Sequence, residues 1–137
     1  MISLEKVLSP QNMLLACKRV RANKGAPGVD GMTVDELEGH FRRHWASICA
    51  HIREGRYIPS LVKRVDIPKP DGSTRMLGIP TVQDRLIQQA IAQVLVEHFD
   101  PRFSEFSYGF RPGRSAHQAI EQTQRYIAEG RSWIVEM

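Results

Sequence analysis

Apolar and polar positions alternate with helical spacing over most of the chain and with strand spacing in one short segment. Apolar side chains recur every three or four residues in four segments, which predicts four amphipathic helices. Each segment begins at a residue suited to an N-cap, namely Ser9, Thr33, Thr81 and Ser115. Pro10 then occupies the first helical position, and Thr33-Val34-Asp35-Glu36 has the form of a capping box. The pattern therefore predicts a mostly helical chain.

The spacing also predicts which side chains of these helices are buried. In the second helix the apolar stripe ends at Gly55 and consists of Leu37, Phe41, Trp45, Ile48 and Ile52. In the third it ends at Asp100-Pro101 and consists of Leu86, Ala90, Ile91, Val94, Leu95 and Phe99. The fourth helix carries Ala119, Ile120, Thr123 and Ile127 and stops at Gly130. Trp45 and Phe41 could stack on bases, but an aromatic stripe at this spacing is typical of core.

The segment with strand spacing lies between the second and third helices. From Leu61 to Ile67, Val65 and Ile67 fall on one face and Arg64 and Asp66 on the other, as in a half-buried strand. Pro70-Asp71-Gly72 then favours a tight turn, so Thr74–Ile79 is expected to pair antiparallel with the first strand. The chain is predicted to contain one β-hairpin.

This hairpin places Lys69 and Arg75 close together across its turn. An ammonium beside a forked guanidinium suits the oxygens of a polyphosphate. A solvated hairpin with ordinary surface cations explains the same two residues, since exposed Lys and Arg are the rule. On these residues alone, both interpretations stay open.

A glycine-rich block, Asn23 to Gly31, follows the first helix. Its glycines do not match the spacing of phosphate-loop or dinucleotide fingerprints. Glycines nevertheless let backbone approach a nucleic-acid strand closely without reading its sequence. The basic residues that lead into the block are either a solvated helix face or phosphate contacts; they are Lys18, Arg19, Arg21 and Lys24.

A second loop, from Phe103 to Ser115, precedes the fourth helix. Arg111 and Arg114 flank Pro112-Gly113 just before the helix N-terminus, where free amides and the helix dipole favour anions. The alternative is an ordinary connection with Tyr108 and Phe110 anchored in the core. That alternative explains the aromatic residues better than the arginines.

Composition restricts the possible fold and partners only weakly. The chain has 137 residues and 42% hydrophobic content, which suits one packed domain. Its formal charge of +4 leans towards a polyanionic partner. Cys17 and Cys49 fall on apolar helix faces, which indicates reduced core thiols rather than a disulfide or metal pair. Reduced thiols indicate a cytoplasmic setting. No apolar run is long enough to span a bilayer, and the N-terminus lacks the pattern of a signal peptide.

Three blocks resemble the reverse transcriptases encoded by group II introns. They are Asn23-Lys24-Gly25-Ala26-Pro27-Gly28-Val29-Asp30-Gly31-Met32-Thr33, then Pro68-Lys69-Pro70-Asp71-Gly72-Ser73-Thr74-Arg75-Met76-Leu77-Gly78-Ile79-Pro80 running on to Arg85, and Ser107-Tyr108-Gly109-Phe110-Arg111-Pro112-Gly113-Arg114-Ser115. They are similar to the family's N-terminal extension motif and its first two polymerase motifs, in family order. The resemblance implies an α+β, mostly helical fingers subdomain of a right-hand polymerase, with a β-hairpin at about 62–79 packed on about four helices. Residues 1–131 would form the fingers, including the extension motif at about 23–33.

The resemblance also implies site residues and partners. The implied nucleotide-binding residues are Lys69, Arg75 and Arg111. The implied template-binding residues are Asn23, Gly28, Asp30, Gly31, Lys63, Arg64, Ile79, Pro80 and Arg85. The implied partners are an RNA template, a primer-template hybrid and a deoxynucleoside triphosphate, with no membrane.

Residues 132–137 read as a β-strand that would form the first edge of the palm subdomain. In the family this strand leads into the first of the aspartates that hold two Mg²⁺ ions, and none of those aspartates has a counterpart here. We therefore expect no catalytic or metal-binding residue, no cofactor and no polymerisation by this piece alone. Its open strand edge and exposed palm-facing surface predict a homo-oligomer.

Two rival functions are compatible with the sequence. One is a stand-alone RNA-binding module that depends steeply on salt and needs no nucleotide. The other is an inert helical domain that binds RNA no better than a control protein of similar charge. Replacing Lys69 and Arg75 with alanine distinguishes both functions from a nucleotide-binding site, because only the nucleotide site predicts lost triphosphate affinity with little change in fold.

Overall fold

A computed structural model describes residues 2–136, which divide into two compact units, one up to Leu95 and one from Val96. The elements are α1 (Leu4–Val7), α2 (Pro10–Ala22), α3 (Leu37–Arg53), β1 (Lys63–Pro68), β2 (Thr74–Ile79), α4 (Val82–Phe99), a 3₁₀ turn (Asp100–Arg102) and α5 (Ala116–Ala128). The unit boundary thus falls near the end of α4. None of the helices in residues 2–136 combines the length and apolarity needed to cross a membrane. The expected mixture of helices with one hairpin is confirmed, and the one-turn helix α1 is additional.

The core of the first unit is built by α2, α3 and α4. The Ser9 hydroxyl accepts a hydrogen bond from the Asn12 amide at 3.4 Å, which confirms the predicted cap of α2. The Asn12 side chain in turn donates to the carbonyl oxygen of Ala90 in α4 at 2.9 Å. Both cysteines are buried and unbridged, as predicted. The buried apolar cluster consists of Val7, Leu8, Met13, Ala16, Cys17, Val20, Val34, Leu37, Cys49, Val82, Leu86, Ala90 and Val94.

Helix α3 has the predicted apolar stripe but starts later than its capping box suggests. Leu37 is fully buried, and Phe41 and Trp45 pack on the core with ring centroids 4.7 Å apart. The Glu36 carboxylate accepts from the Thr33 amide at 2.8 Å, but the Glu36 amide bonds the Thr33 carbonyl oxygen instead of the Thr33 hydroxyl. Residues 34–36 therefore form a turn, and the prediction of a complete capping box is wrong.

The hairpin has the predicted strands and turn. Ile67 pairs with Arg75 and Pro68 with Thr74 in an antiparallel register. Gly72 adopts a φ of +83°, and its amide donates to the Lys69 carbonyl oxygen at 3.1 Å. The Asp71 carboxylate accepts from the Ser73 amide at 2.9 Å and from its hydroxyl, which lowers the pKa of Asp71. These contacts of Asp71 and Gly72 form the tight turn that the sequence predicts.

The predicted burial of the hairpin is wrong. No hairpin residue belongs to the buried core, and in both strands only Val65 and Ile79 are half-buried. The helices already enclose the core, so the apolar face of the two-stranded ribbon stays exposed. The hairpin is therefore not packed on the helices in the way its strand pattern suggests.

Helix α4 begins at the predicted cap and buries only half of its predicted stripe. Thr81 is almost fully buried, and its hydroxyl accepts from the Asp84 amide at 3.2 Å. Leu86, Ala90 and Val94 are buried as expected. The prediction fails for three residues on the flanks of this stripe, since the helix contacts the core along a narrower face; Ile91, Leu95 and Phe99 are exposed.

The second unit has no buried apolar residue among those described, from Val96 to Glu136. Helix α5 starts at a complete capping box of Ser115 and Gln118, and Gly130 follows it with a φ of +86°. The predicted strand at 132–137 is wrong over residues 132–136, which form no strand because no neighbouring strand is available to pair with them. Met137 lies outside the described residues.

Candidate nucleic-acid interface

The glycine-rich loop that follows α2 packs directly against the start of α4. Gly28 is buried, and a Cβ atom there would lie 2.8 Å from both the Cα and the amide nitrogen of Thr81. The carbonyl carbon of Pro80 would be 3.0 Å away. Since backbone atoms cannot move aside as a side chain can, this approach requires glycine. Two implied template-binding residues, Gly28 and Pro80, therefore lie together.

Arg85 ties the same loop to α4 from the other side. Its Nη2 donates to the carbonyl oxygen of Ala26 at 2.6 Å, and its guanidinium occupies the space that a side chain at Gly25 would need. The buried Nε of Arg85 has no hydrogen-bond partner among the described residues. The loop is thus held at two points, by backbone packing at Gly28 and by the Arg85 guanidinium.

The remaining implied residues of this loop shape its turn. The Asn23 amide closes α2 by donating to the Arg19 carbonyl oxygen at 3.1 Å. The Asp30 carboxylate accepts from the Met32 amide at 3.1 Å, and Gly31 has a φ of +73°. Asn23, Asp30 and Gly31 are exposed, so part of the loop surface is open to solvent.

A buried carboxylate that the sequence analysis did not single out fixes the junction between hairpin and α4. Asp84 is 4% exposed and accepts from the Thr81 hydroxyl at 2.7 Å, the Tyr57 hydroxyl at 2.6 Å and the Ser60 amide at 3.0 Å. Burial, together with the bond to Asp84, raises the pKa of Tyr57 to about 12. The Thr81-x-x-Asp84 spacing could have indicated the cap, whereas nothing local indicated the bond to Tyr57.

One face of the hairpin gathers most of its implied site residues. Side chains of directly paired residues share a face, and alternate residues along a strand share it too. The pairs Lys63 with Ile79 and Ile67 with Arg75 therefore lie on one face. Arg64 pairs with Gly78 on the opposite face, where it also makes a 3.3 Å ion pair with Asp66. The implied template residues Lys63 and Arg64 thus point in opposite directions.

The cations at the hairpin tip are exposed and unpaired. The Lys69 amide donates to the Ser73 carbonyl oxygen at 2.8 Å, so Lys69 is a diagonal neighbour of Arg75 on the face just described. Within residues 2–136, neither side chain makes an ion pair or hydrogen bond. At roughly 3.4 Å per residue, Arg75 lies ~14 Å along the strand from Ile79. The face therefore runs from a cationic tip to an apolar base beside the glycine loop.

Arg111 of the second unit forms its hydrogen bonds within that unit. Its Nε and Nη2 donate to the carboxylate and carbonyl oxygens of Asp100 at 2.8 and 2.9 Å. Its Nη1 donates to the carbonyl oxygens of Ser104 and Ser107 at 2.7 and 2.9 Å. The side chain is only 8% exposed and lies over the Phe103 ring. This geometry makes Arg111 the organiser of the loop; its implied contact with a nucleotide stays a prediction.

The loop before α5 also exposes an aromatic side chain that an ordinary connecting loop would bury. Phe110 is fully exposed and has a φ of +55°, so the alternative that buries it in the core is wrong. Arg114 lies over the Tyr108 ring at 5.6 Å. The capping box of α5 already occupies the amides of Ser115 and Gln118. Arg114 therefore adds a cation to the helix start, where the capping box occupies two of the amides.

Sequence comparisons identify the family. Residues 67–137 match the family described as "Reverse transcriptase (RNA-dependent DNA polymerase)". This chain belongs to the reverse transcriptase family. The match includes the implied residues Lys69, Arg75, Ile79, Pro80, Arg85 and Arg111.

Relatives place the chain in the group II intron type of reverse transcriptase. It is 35% identical to the group II intron-encoded protein LtrA of Lactococcus lactis subsp. cremoris, over 95% of this chain and 22% of that protein. It is 33% identical to protein YkfC of Escherichia coli (strain K12), over 97% of this chain and 36% of that protein. Over 39% of the chain it is 39% identical to nuclear intron maturase 2, mitochondrial, of Arabidopsis thaliana, covering 7% of that protein. The chain thus spans about a fifth to a third of the length of its first two relatives, and their shared span includes the glycine loop.

Proposed function

We propose that this part of a group II intron-type reverse transcriptase grips the RNA template and the incoming deoxynucleoside triphosphate. The observation that supports it best is the single hairpin face that joins unpaired Lys69 and Arg75 to Lys63 and Ile79. Two unpaired cations at an exposed turn attract phosphate oxygens, and a guanidinium can bind them in a bidentate way. The tip therefore takes the triphosphate.

The template lies at the other end of this face. The exposed edge of the glycine loop and the half-buried Ile79 and Pro80 border the same junction. An apolar side chain can pack under a base of any sequence, and glycine backbone can follow a strand closely. Lys63 then contacts the template backbone, because it shares the face with Ile79. Arg85 supports the strand indirectly by holding the loop through Ala26.

Phosphoryl transfer itself is not a function that we propose for the 137-residue chain alone. Within residues 2–136, no three His, Cys, Asp or Glu side chains are grouped closely enough to hold a metal ion. The pair of Mg²⁺ ions on which polymerases of this family depend therefore does not fit the residues described, and we derive no chemical step through it. We expect the chain alone not to extend a primer on an RNA template; measurable extension would contradict this expectation.

The nucleotide part of the proposal is tested by triphosphate affinity. Calorimetric titration of a deoxynucleoside triphosphate into Lys69→Ala and Arg75→Ala should show binding at least about tenfold weaker than to the unmodified chain, because each change removes a charge-assisted contact. Arg64→Ala is the matched control, since it removes a cation from the opposite face that is already paired with Asp66. Equal affinity in all four proteins, or no binding to any, would contradict the proposal. Retained RNA binding without triphosphate binding would instead favour a simple RNA-binding module.

A further inference from the structure

A polar groove lies between α2 and α4 in the first unit. It has a volume of about 480 Å³ and is lined by five polar residues together with Val20 and Ala92. The polar residues are Arg19, Asn23, Arg85, Gln88 and Gln89. The volume falls in the range typical of small-molecule sites, about 300–1,000 Å³.

The charge of this groove is positive and uncompensated. Its lining includes two guanidinium groups and no carboxylate. Arg19 makes no ion pair or side-chain hydrogen bond within residues 2–136. The Nε of Arg85 is buried without a hydrogen-bond partner, although its Nη2 is used by Ala26. Phosphate oxygens accept from guanidinium forks, so the exposed Arg19 guanidinium beside Arg85 suits a phosphate group, while the buried Nε is out of a ligand's reach.

The amide side chains give the groove a second chemical character. Asn23 and Gln88 have no hydrogen bond to other described side chains, so each can offer both a donor and an acceptor. Gln89 donates to Gln93 at 3.4 Å, which leaves its carbonyl oxygen to accept. Amides with both functions are suited to the edge of a nucleobase.

We propose that this groove binds a nucleoside 5′-phosphate unit, with the phosphate on Arg19 and Arg85 and the base against the amides and the apolar residues Val20 and Ala92. The unit comes either from a free nucleotide or from single-stranded RNA, since both present the same chemistry. Arg19, Gln88 and Gln89 belong to none of the contacts used by the hairpin. Asn23 and Arg85 are shared with the implied template contacts, whereas Arg19, Gln88 and Gln89 make the groove distinct from the hairpin face proposed to hold the triphosphate.

The test compares nucleotide binding to variants of the full chain. Adenosine 5′-monophosphate, ribose 5-phosphate and adenosine are titrated by calorimetry into the unmodified chain, Arg19→Ala and Gln88→Ala. Arg19→Ala should weaken binding of the monophosphate and of ribose 5-phosphate at least tenfold, while Gln88→Ala should weaken only the ligands that carry the base. Arg43→Ala is the matched control, because Arg43 is an exposed, unpaired arginine of α3 outside the groove.

A short single-stranded RNA distinguishes the two sources of the ligand. If RNA occupies the groove, Arg19→Ala weakens RNA binding by a factor similar to that for the monophosphate. If only free nucleotide enters the groove, the RNA affinity of Arg19→Ala matches that of Arg43→Ala. Either result supports the site. Monophosphate affinity that changes equally in Arg19→Ala and Arg43→Ala, or no monophosphate binding at all, overturns it. Lys69→Ala and Arg75→Ala should leave monophosphate binding unchanged, so failure of the hairpin proposal and failure of this one are separable.

Discussion

Gly28 is the residue on which the position of the glycine loop depends most directly. Replacement by Ala places a methyl group 2.8 Å from backbone atoms of Thr81. We expect Gly28→Ala to lower the free energy of unfolding by about 1–3 kcal/mol, because the loop or the start of α4 must shift. Urea unfolding followed by fluorescence of the half-buried Trp45 measures this change, since Trp133 is 94% exposed and reports little.

A second glycine provides the control for this substitution. Gly39 lies inside α3, and a Cβ atom there meets only the end of the Arg43 side chain, at 4.0 Å. Gly39→Ala should raise the free energy of unfolding by up to about 1 kcal/mol, since alanine favours helix. If Gly28→Ala is as harmless as Gly39→Ala, the close packing of the glycine loop on α4 is wrong.

Tyr57 is expected to make stability sensitive to alkaline pH. Its pKa of about 12 in the folded chain lies above the ordinary value of 10, so the folded state holds the proton more tightly. The stability that the folded chain gains from this raised pKa is complete below pH 10 and is lost as the pH rises through 12. An ultraviolet titration of phenolate absorbance, with the curve of Tyr57→Phe subtracted from that of the unmodified chain, should give a midpoint near 12. A difference curve centred near 10 would show that Tyr57 is not held by burial and Asp84.

At the scale of elements, Arg111 should decide whether the loop before α5 is ordered. Arg111→Ala removes its hydrogen bonds to Asp100, Ser104 and Ser107 together. We expect amide hydrogen exchange in residues 103–110 to accelerate at least tenfold, because bonds to a charged group contribute about 1.5–3 kcal/mol. Arg102→Ala is the control, since Arg102 is exposed and forms no ion pair among the described residues. Unchanged exchange in Arg111→Ala would mean that the loop is held by other contacts.

Element boundaries were predictable where a local signal fixes them. Ser9, Thr81 and Ser115 cap helices through their own side chains, and Gly72 takes the positive φ that the hairpin turn needs. Burial was less predictable, because alternation in β1 shows that one face is apolar but not that anything covers it. The strand expected at residues 132–136 failed for the same reason, since a strand needs a partner that local sequence does not specify.

In the candidate site, too, local contacts were predictable from the sequence and contacts between distant residues were not. The position of Lys69 and Arg75 follows from the turn residues, which are adjacent in sequence. By contrast, the packing of Gly28 on Thr81 and the bond from Tyr57 to Asp84 join residues far apart in sequence. With one sequence, only the family resemblance pointed to the glycine loop, and no pattern predicted that Arg111 turns inward.

For the whole molecule, the exposed apolar surface of residues 96–136 predicts self-association. Ile120 and Ile127 lie on one face of α5 and are more than half exposed, and Phe106 is similarly open. We expect a second copy to cover this surface at high concentration, and Ile120→Ser with Ile127→Ser to weaken association about tenfold by removing apolar contact. Sedimentation velocity over a concentration series measures it. A monomer at every concentration would count against the prediction.

The salt dependence of RNA binding tests the proposed template grip most directly. Binding of a primer-template hybrid is measured from low to high salt for the unmodified chain, Lys63→Ala and Arg64→Ala. The hairpin geometry predicts that binding weakens steeply as the salt concentration rises. The slope of the logarithm of the binding constant against the logarithm of salt concentration should fall by about 1 in Lys63→Ala. It should fall by less in Arg64→Ala, because Arg64 lies on the opposite face and is paired with Asp66. Salt-independent binding, or equal slopes in both variants, would contradict a template held along the face of Lys63 and Ile79.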